Sequence, residues 1–258
     1  MRARRGRGIG PTVAAFRAEL GRFRRPRRGH QPAHLSARSL PVGTGAFGFP
    51  VFLEVRGRLA FVAGGGHAAA GKAETLVELG AQVRLWAPAH RATRRLAGRA
   101  SVEFVEGDFA PDLLDGASLV IAATGEASLD RQIAVEARRR HVLVNVHDGP
   151  LLSDWSAPAV LRRGDLTVAI GTGGVAPALA VRLRDRLAGE LGPEYGELLA
   201  LFSQARSSIA ATDRPFADRR AVWYALVDGP ALDHLRSGRP DAARRVVEAT
   251  IETWEAAP

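Results

Sequence analysis

A short apolar run that ends in three glycines limits most strongly what this chain can fold into. Leu59 to Ala63 are apolar, Gly64-Gly65-Gly66 follows, and a helix-like segment covers residues 68–79. In the pattern G-x-G-x-x-G, the first glycine permits a tight turn, the second lets the backbone approach a pyrophosphate, and the third position packs the helix against the strand. Ala69 is a permitted residue at that third position. The segment therefore predicts a dinucleotide-binding turn.

A second strand, Gln82 to Ala87, completes a βαβ unit of about 30 residues. Trp86 stands roughly where an acidic residue would bind the ribose hydroxyls of NAD, so this position does not separate NAD from NADP. The expected cofactor contacts come from the turn, from the end of the second strand and from two later strand ends. They are Gly64, Gly65, Gly66, His67, Ala68, Trp86, Ala87, Pro88, Ala123, Thr124 and Asn145.

Strand-like and helix-like segments alternate from Phe49 onward, which is typical of a parallel sheet covered on both faces. We predict strands near residues 52–55, 59–63, 82–86, 102–106, 119–123 and 142–146, with helices at 68–79, 89–97 and 128–140. Ligands of such sheets bind outside the carboxyl ends of the strands. Ala123, Thr124, Asn145 and Asp148 are therefore candidates to line one crevice.

The alternation of strand-like and helix-like segments ends after Pro150. A strand at 166–170 and a helix at 177–191 precede a segment that is helical from 194 to 257, with breaks near Pro215, Gly229-Pro230 and Gly238. We predict a basic, disordered leader (1–48), a dinucleotide-binding domain (49–150), a linking and dimer-forming module (151–192) and a helical domain (193–258). The predicted fold class is α/β, with a Rossmann-like parallel sheet first and a small helical domain last.

The net charge of +9 is unevenly distributed. Residues 1–48 contain eleven Arg and one Glu, so the leader carries +10 and the rest of the chain −1. This favours a solvated arm whose contacts with nucleic acid are non-specific, and not a nucleic-acid-binding body. Because cysteine is absent, disulfides and thiolate metal sites are excluded. No apolar run approaches the roughly 20 residues of a membrane span, and we expect a cytoplasmic protein without a resident metal.

Several segments occur together in a fixed order. They are Phe49 to Leu53, the glycine turn through Lys72, Leu119 to Thr124, Asn145-Val146-His147-Asp148, Ser156 to Ala159, and Gly173-Gly174 with Pro177. Together they resemble the precorrin-2 dehydrogenase/sirohydrochlorin ferrochelatase family, which also forms the N-terminal module of siroheme synthase. The resemblance covers about residues 48–225.

The resemblance implies NAD-dependent oxidation of precorrin-2 to sirohydrochlorin in siroheme biosynthesis. In many members, ferrous iron is then inserted as a substrate. It also implies a homodimer with a tetrapyrrole substrate, and it makes Asp148 the catalytic acid or base. Thr172 and Gly173, with Arg162 and Arg163, are then candidates to bind the carboxylates of the macrocycle.

Other interpretations of these residues remain open. Asp148 precedes Gly149-Pro150 and fits a simple turn, Thr172 fits a hydroxyl-bonded turn, and His147 fits a bystander. Most arginines on such segments are solvated. Two alternatives stay open. One is a chelatase without the redox step, although the retained Gly64 to Gly66 argues against it; the other is a catalytically weak protein that binds a dinucleotide or a tetrapyrrole, which the departures at Gly171 and Trp86 keep open.

Overall fold

The computed structural model describes residues 48–87 and 92–257. The predicted leader, except for Gly48, lies outside these residues, as do Pro88 and the first part of the predicted helix 89–97. The described chain divides into two compact units. Residues 48–159 and 169–183 form the first unit, and residues 160–168 and 184–257 form the second.

The first unit is built on a parallel sheet of five strands in the order β3-β2-β1-β4-β5. Its strands are β1 (Leu59–Ala63), β2 (Gln82–Trp86), β3 (Val102–Val105), β4 (Ala117–Ala122) and β5 (Leu143–Val146). Helix α1 (His67–Glu78) follows β1, and helix α2 (Ala127–Arg139) connects β4 to β5. Short 3₁₀ turns cover Thr93–Leu96, Pro111–Leu114 and Pro150–Leu152. This confirms the predicted Rossmann-like sheet.

The central strand β1 is apolar without interruption because the sheet is buried on both faces there. In β1, Ala60 and Val62 pack on the α1 side, whereas Phe61 and Ala63 pack on the side that holds Ile133 of α2. All four of these β1 residues are almost completely buried. The strand is thereby fixed between two hydrophobic layers, and its carboxyl end has a defined position.

Two predicted elements of the first unit are wrong. Residues 52–55 pair with no neighbouring strand and therefore form none. The side chains of Phe52 and Leu53 are exposed. Within the described part of the predicted helix 89–97, only the 3₁₀ turn Thr93–Leu96 forms. The other predicted strands and helices of this unit agree with the structure to within about two residues.

The second unit contains most of a two-stranded sheet and a helical cluster. The sheet pairs β6 (Ala159–Arg163) with β7 (Leu166–Ile170), and α3 (Pro177–Glu190) begins in the first unit and ends in the second. Four helices follow: α4 (Glu194–Ala210), α5 (Phe216–Val227), α6 (Ala231–Arg236) and α7 (Pro240–Glu255). The breaks between them lie where they were predicted, whereas strand β6 was not predicted.

The helices α4 to α7 share one hydrophobic core. Each contributes its buried stripe: Leu198, Leu201, Phe202, Ala205, Ile209, Val222, Leu226, Ala231, Leu235, Ala243, Val247, Ile251 and Trp254. Such spacing is expected of amphipathic helices that bury one face. The helical cluster therefore has a core of its own.

Candidate functional site

Three neighbouring strands of the first unit end at the same level of the sheet. Ala63 of β1 pairs in register with Ala122 of β4, and Ala122 pairs with Val146 of β5. Backbone hydrogen bonds continue past the strand ends, since Ala123 donates to Ala63 (2.9 Å) and His147 donates to Ala122 (2.8 Å). This carboxyl edge brings together the glycine turn, the Ala123-Thr124 turn and the segment that holds Asp148.

The first two glycines of the G-x-G pattern have different environments. Gly64 is buried, has φ +127°, and leaves no room for a Cβ, which would overlap the carbonyl oxygen of Ala123. Gly66 is exposed, has φ −83°, and has open space where a Cβ would lie. Gly64 is thus required by the sheet edge itself, whereas the bare surface at Gly66 is available to a ligand.

Helix α1 begins beside this open surface without a cap. Gly66 provides no side-chain hydrogen bond, and the first turn contains no acidic residue. The backbone N–H of Ala70 bonds to Gly66, but those of His67, Ala68 and Ala69 have no partner among the described residues. Free N–H groups and the positive end of the helix dipole favour an anion at this position. The turn therefore fits the pyrophosphate of a dinucleotide.

Asp148 follows β5 directly and presents its carboxylate to solvent. Its side chain is 91% exposed, and its backbone is left-handed, with φ +58°. Asp and Asn tolerate that conformation better than most residues. The imidazole Nδ1 of His147 lies 3.8 Å from the carboxylate. An exposed acid at the carboxyl edge can accept or return a proton from a bound substrate.

Three positions before Asp148, the side chain of Asn145 forms hydrogen bonds with two other segments of the chain. Its Oδ1 accepts a hydrogen bond from Lys72 Nζ of α1, and its Nδ2 donates to the carbonyl of Trp155, both at 2.9 Å. Asn145 is only 7% exposed. Both polar atoms are thus engaged inside the protein, which gives Asn145 a structural task, and its contact with a cofactor stays a prediction.

Lys72 is the group whose titration this environment changes. Burial lowers the pKa of its ammonium below the ordinary 10.5, and the negative charge of Asp148 partly opposes that change. Lys72 ends the glycine-turn motif, which predicts no function for this lysine. Its partner is 73 positions away, so no local pattern signals the contact.

A second buried group organises the turn after β4. The carboxylate of Asp130, only 6% exposed, accepts hydrogen bonds from the backbone N–H (3.1 Å) and the hydroxyl (2.8 Å) of Thr124. Asp130 was also not predicted. It lies in the first turn of α2 and fixes Thr124 at the sheet edge, next to the glycine turn.

The end of β2 offers less to a ligand than its position indicates. Trp86 is 2% exposed, donates its indole N–H to the Gly107 carbonyl (3.1 Å), and packs edge-on against Phe109. Ala87 is also buried. The Trp86 side chain is therefore part of the core, and the contact of this position with a cofactor stays a prediction.

The expected substrate contacts fall in different places. In the turn before α3, the Thr172 hydroxyl accepts a hydrogen bond from the Ala176 N–H (3.3 Å), and Gly173 has φ +63°. In the other unit, Arg163 donates to the carbonyls of Leu191 (2.9 Å) and Ala188 (3.2 Å) at the end of α3. Arg163 thus caps a helix, and its contact with the substrate stays a prediction. Arg162 is exposed.

Two properties of the described residues bear on other kinds of site. Across residues 48–87 and 92–257, no group of three or more His, Asp or Glu side chains is arranged to hold a metal ion. Within the same residues, no helix has both the length and the apolar character needed to cross a membrane.

Three family models match successive parts of the chain. The model described as "Putative NAD(P)-binding" matches residues 51–159, the central model of sirohaem biosynthesis proteins matches 163–190, and the sirohaem synthase dimerisation region matches 194–251. The dimerisation region is thus the helical segment, and not the 151–192 module in which we expected it. The boundaries of our four domains otherwise remain predictions.

Curated relatives and a solved structure agree with these matches. The siroheme synthase of Chromobacterium violaceum is 36% identical over 204 residues, which cover 79% of this chain and 43% of the relative. That of Thiobacillus denitrificans is 37% identical over 204 residues, which cover 79% and 42%. The chain therefore spans less than half the length of these relatives.

A solved structure of SirC, a precorrin-2 dehydrogenase, superposes with a TM-score of 0.65 at 19% identity and covers 78% of this chain and all of that one. At that identity the likeness supports the fold alone. The three family models, in this order, and the similarity to siroheme synthases confirm the resemblance drawn from the sequence. The chain belongs to the family of the N-terminal module of siroheme synthase, with an NAD(P)-binding, a central and a dimerisation region.

Proposed function

We propose that this protein oxidises precorrin-2 to sirohydrochlorin with NAD, as a step of siroheme biosynthesis. The observation that carries the proposal is the arrangement of the carboxyl edge. The uncapped glycine turn after β1 and the exposed Asp148 after β5 lie two strand spacings apart, about 10 Å, at one edge of the sheet. The three matched family models and the siroheme synthases among the relatives support a role in the same pathway.

The residues of the chain divide the work between binding and proton transfer. The free N–H groups of His67 and Ala68 bind the pyrophosphate, and Gly66 allows its close approach. Bound NAD supplies the hydride acceptor for the oxidation. Asp148 accepts the proton that the macrocycle loses, and solvent at its exposed carboxylate takes that proton away.

Insertion of ferrous iron into sirohydrochlorin is the second activity that we propose. Here iron is a substrate, and Asp148 accepts the pyrrole N–H protons that the metal displaces. The turn Thr172-Gly173 of the first unit is a candidate to bind a carboxylate of the tetrapyrrole, and the contact predicted for Arg162 stays a prediction. We also infer a homodimer, because the matched dimerisation region covers the helices α4 to α7 almost completely.

The test is anaerobic conversion of enzymatically generated precorrin-2, followed by absorbance with NAD or NADP. The informative variant is Asp148→Asn, since Asn tolerates the left-handed backbone at φ +58° whereas Ala would add strain there. We expect Asp148→Asn to lower kcat by at least about a hundredfold with an unchanged melting temperature.

A matched control is Asp108→Asn, which changes another exposed carboxylate of the first unit. It should retain wild-type kcat. Addition of ferrous iron after the oxidation then measures the chelatase step separately. NAD binding without turnover in the wild type would contradict the dehydrogenase and favour a binding protein, whereas iron insertion without oxidation would favour a chelatase.

A further inference from the structure

Lys72 is the single lysine among the 36 basic residues of this chain, and all the others are arginine. It does not lie on a solvated helix face. It is half-buried on α1, with its ammonium group bonded to Asn145 below the carboxyl end of β5. The one lysine of the chain therefore lies where a cation bonds to a side chain of β5, the strand that Asp148 follows.

The chemistry of the place favours an ammonium over a guanidinium. A single amide oxygen, Oδ1 of Asn145, accepts from the cation within a partly buried space. Lysine is a compact point charge with rotatable donors, whereas arginine presents five donors in a rigid fork that one acceptor cannot satisfy. The site is therefore suited to the smaller cation.

The charges around Lys72 are few. Arg95, a basic side chain near α1, pairs with Glu74 of that helix. Within the part of the chain that the structure describes, Asp148 is the charged group whose field acts on Lys72. Lys72 of α1 thus bonds to Asn145 of β5 and is within the electrostatic reach of Asp148, which follows that strand.

We propose that Lys72 is a positioning residue whose ammonium group, through Asn145, holds the carboxyl end of β5 in place and sets the charge beside Asp148. It links the helix that begins at the cofactor turn to the segment that carries the acid. The expected effect on rate rests on the proposed function, but the coupling between Lys72 and Asp148 does not, because it can be measured without turnover.

The first experiment uses the fact that one lysine gives one signal. Protein grown with lysine labelled with ¹³C at Cε reports Lys72 alone in an NMR titration. We expect a midpoint below 10.5 in the wild type, and a still lower midpoint in Asp148→Asn, because the charge that raises the pKa of Lys72 is then absent. Asp108→Asn should leave the midpoint unchanged. Equal midpoints in the wild type and in Asp148→Asn would overturn the proposal.

The second experiment separates the charge of Lys72 from its bulk. Because the chain has no cysteine, Lys72→Cys introduces a single thiol, which can be alkylated in urea before refolding. Treatment with 2-bromoethylamine restores an ammonium at nearly the length of lysine, whereas iodoacetamide adds a neutral amide. We expect the amide form to have a kcat at least about tenfold below wild type, and the ammonium form to recover most of that loss.

The outcomes are distinct. Equal rates for the two alkylated forms, both folded by circular dichroism, would show that the charge is dispensable and would refute the positioning role. If no form turns over, including the wild type, the proposed function fails, and the NMR titration still decides whether Lys72 and Asp148 are coupled.

Discussion

Gly64 and Gly66 belong to one turn but are needed for different reasons. Gly64 has a left-handed backbone and no space for a Cβ beside the Ala123 carbonyl, whereas Gly66 has ordinary dihedrals and faces open space. The sequence pattern treats both as parts of one motif. Their separate tasks become visible only in the contacts.

Alanine should therefore affect stability when it replaces Gly64 and NAD binding when it replaces Gly66. Gly64→Ala should lower the free energy of unfolding by about 2–3 kcal/mol, through strain and overlap with backbone. Gly66→Ala should leave stability within about 0.5 kcal/mol and weaken NAD binding, because its Cβ occupies the approach of the pyrophosphate. Urea denaturation and calorimetric titration with NAD measure the two effects. Equal loss of stability in both variants would contradict this assignment.

The lowered pKa of Lys72 predicts the direction in which stability changes with pH. Well below that pKa, Lys72 is protonated in both the folded and the unfolded states, and its burial costs stability; above 10.5 it is neutral in both, and the cost disappears. Relative to Lys72→Met, the wild type should gain stability as pH rises from neutrality to above 10.5. Urea denaturation of both proteins across that range tests the sign, and a constant difference would contradict it.

At the scale of elements, the arginine cap of α3 can be tested with its neighbour as control. Arg163 donates to carbonyls at the end of α3, whereas Arg162 is exposed and has no side-chain partner among the described residues. Arg163→Ala should lower the free energy of unfolding by about 1–2 kcal/mol, and Arg162→Ala by less than about 0.5 kcal/mol.

The same pair of variants also tests substrate binding. If Arg162 binds a carboxylate of the tetrapyrrole, Arg162→Ala raises the KM for precorrin-2 while stability is retained. A larger loss of stability in Arg162→Ala than in Arg163→Ala would contradict the assignment of the cap.

Strands that are buried on both faces of the sheet could be predicted from the sequence. Strands that depend on pairing with another segment could not. The predicted β1 and β2 agree with the structure because Leu59–Ala63 and Gln82–Trp86 are continuous or nearly continuous core segments. The run at 52–55 contains three apolar residues, but Phe52 and Leu53 are exposed. Strand β6 was missed because Leu161 is its one fully buried residue. The local sequence pattern shows where the chain is hydrophobic. Backbone pairing with a neighbouring segment decides whether such a run forms a strand.

The same limit applies to the candidate site. Asp148 and the glycine turn could be found because they follow recognisable strand ends. The contact of Lys72 with Asn145 and the cap formed by Arg163 join residues far apart in sequence, at 73 and 28 positions. Only the folded chain shows that Asn145 and Arg163 are already engaged.

At the scale of the whole molecule, the matched dimerisation region carries an exposed stripe on α5. Phe216, Tyr224 and Val227 are 73%, 54% and 57% exposed and lie on one face of the helix, opposite the buried Val222 and Leu226. A stripe of this kind is suited to contact with a second copy of the chain.

We expect Tyr224→Glu to weaken self-association by at least about tenfold, since buried tyrosines are frequent energetic centres of interfaces. Ala221→Glu adds the same charge at an exposed position off the stripe of α5 and should leave association unchanged. Sedimentation equilibrium over a range of concentrations measures both. Unchanged association in Tyr224→Glu would place the interface elsewhere.

The crowding of Gly64 against Ala123 bears on how such a chain would change over evolutionary time. A descendant that no longer used a dinucleotide would be released from selection at Gly66, where any side chain finds room, but not at Gly64, which the sheet edge needs in order to fold. Gly64 would be retained because the fold needs it, whereas Gly66 would be replaced by other residues. In a degenerate relative, the residue at the second position therefore records whether the cofactor was abandoned.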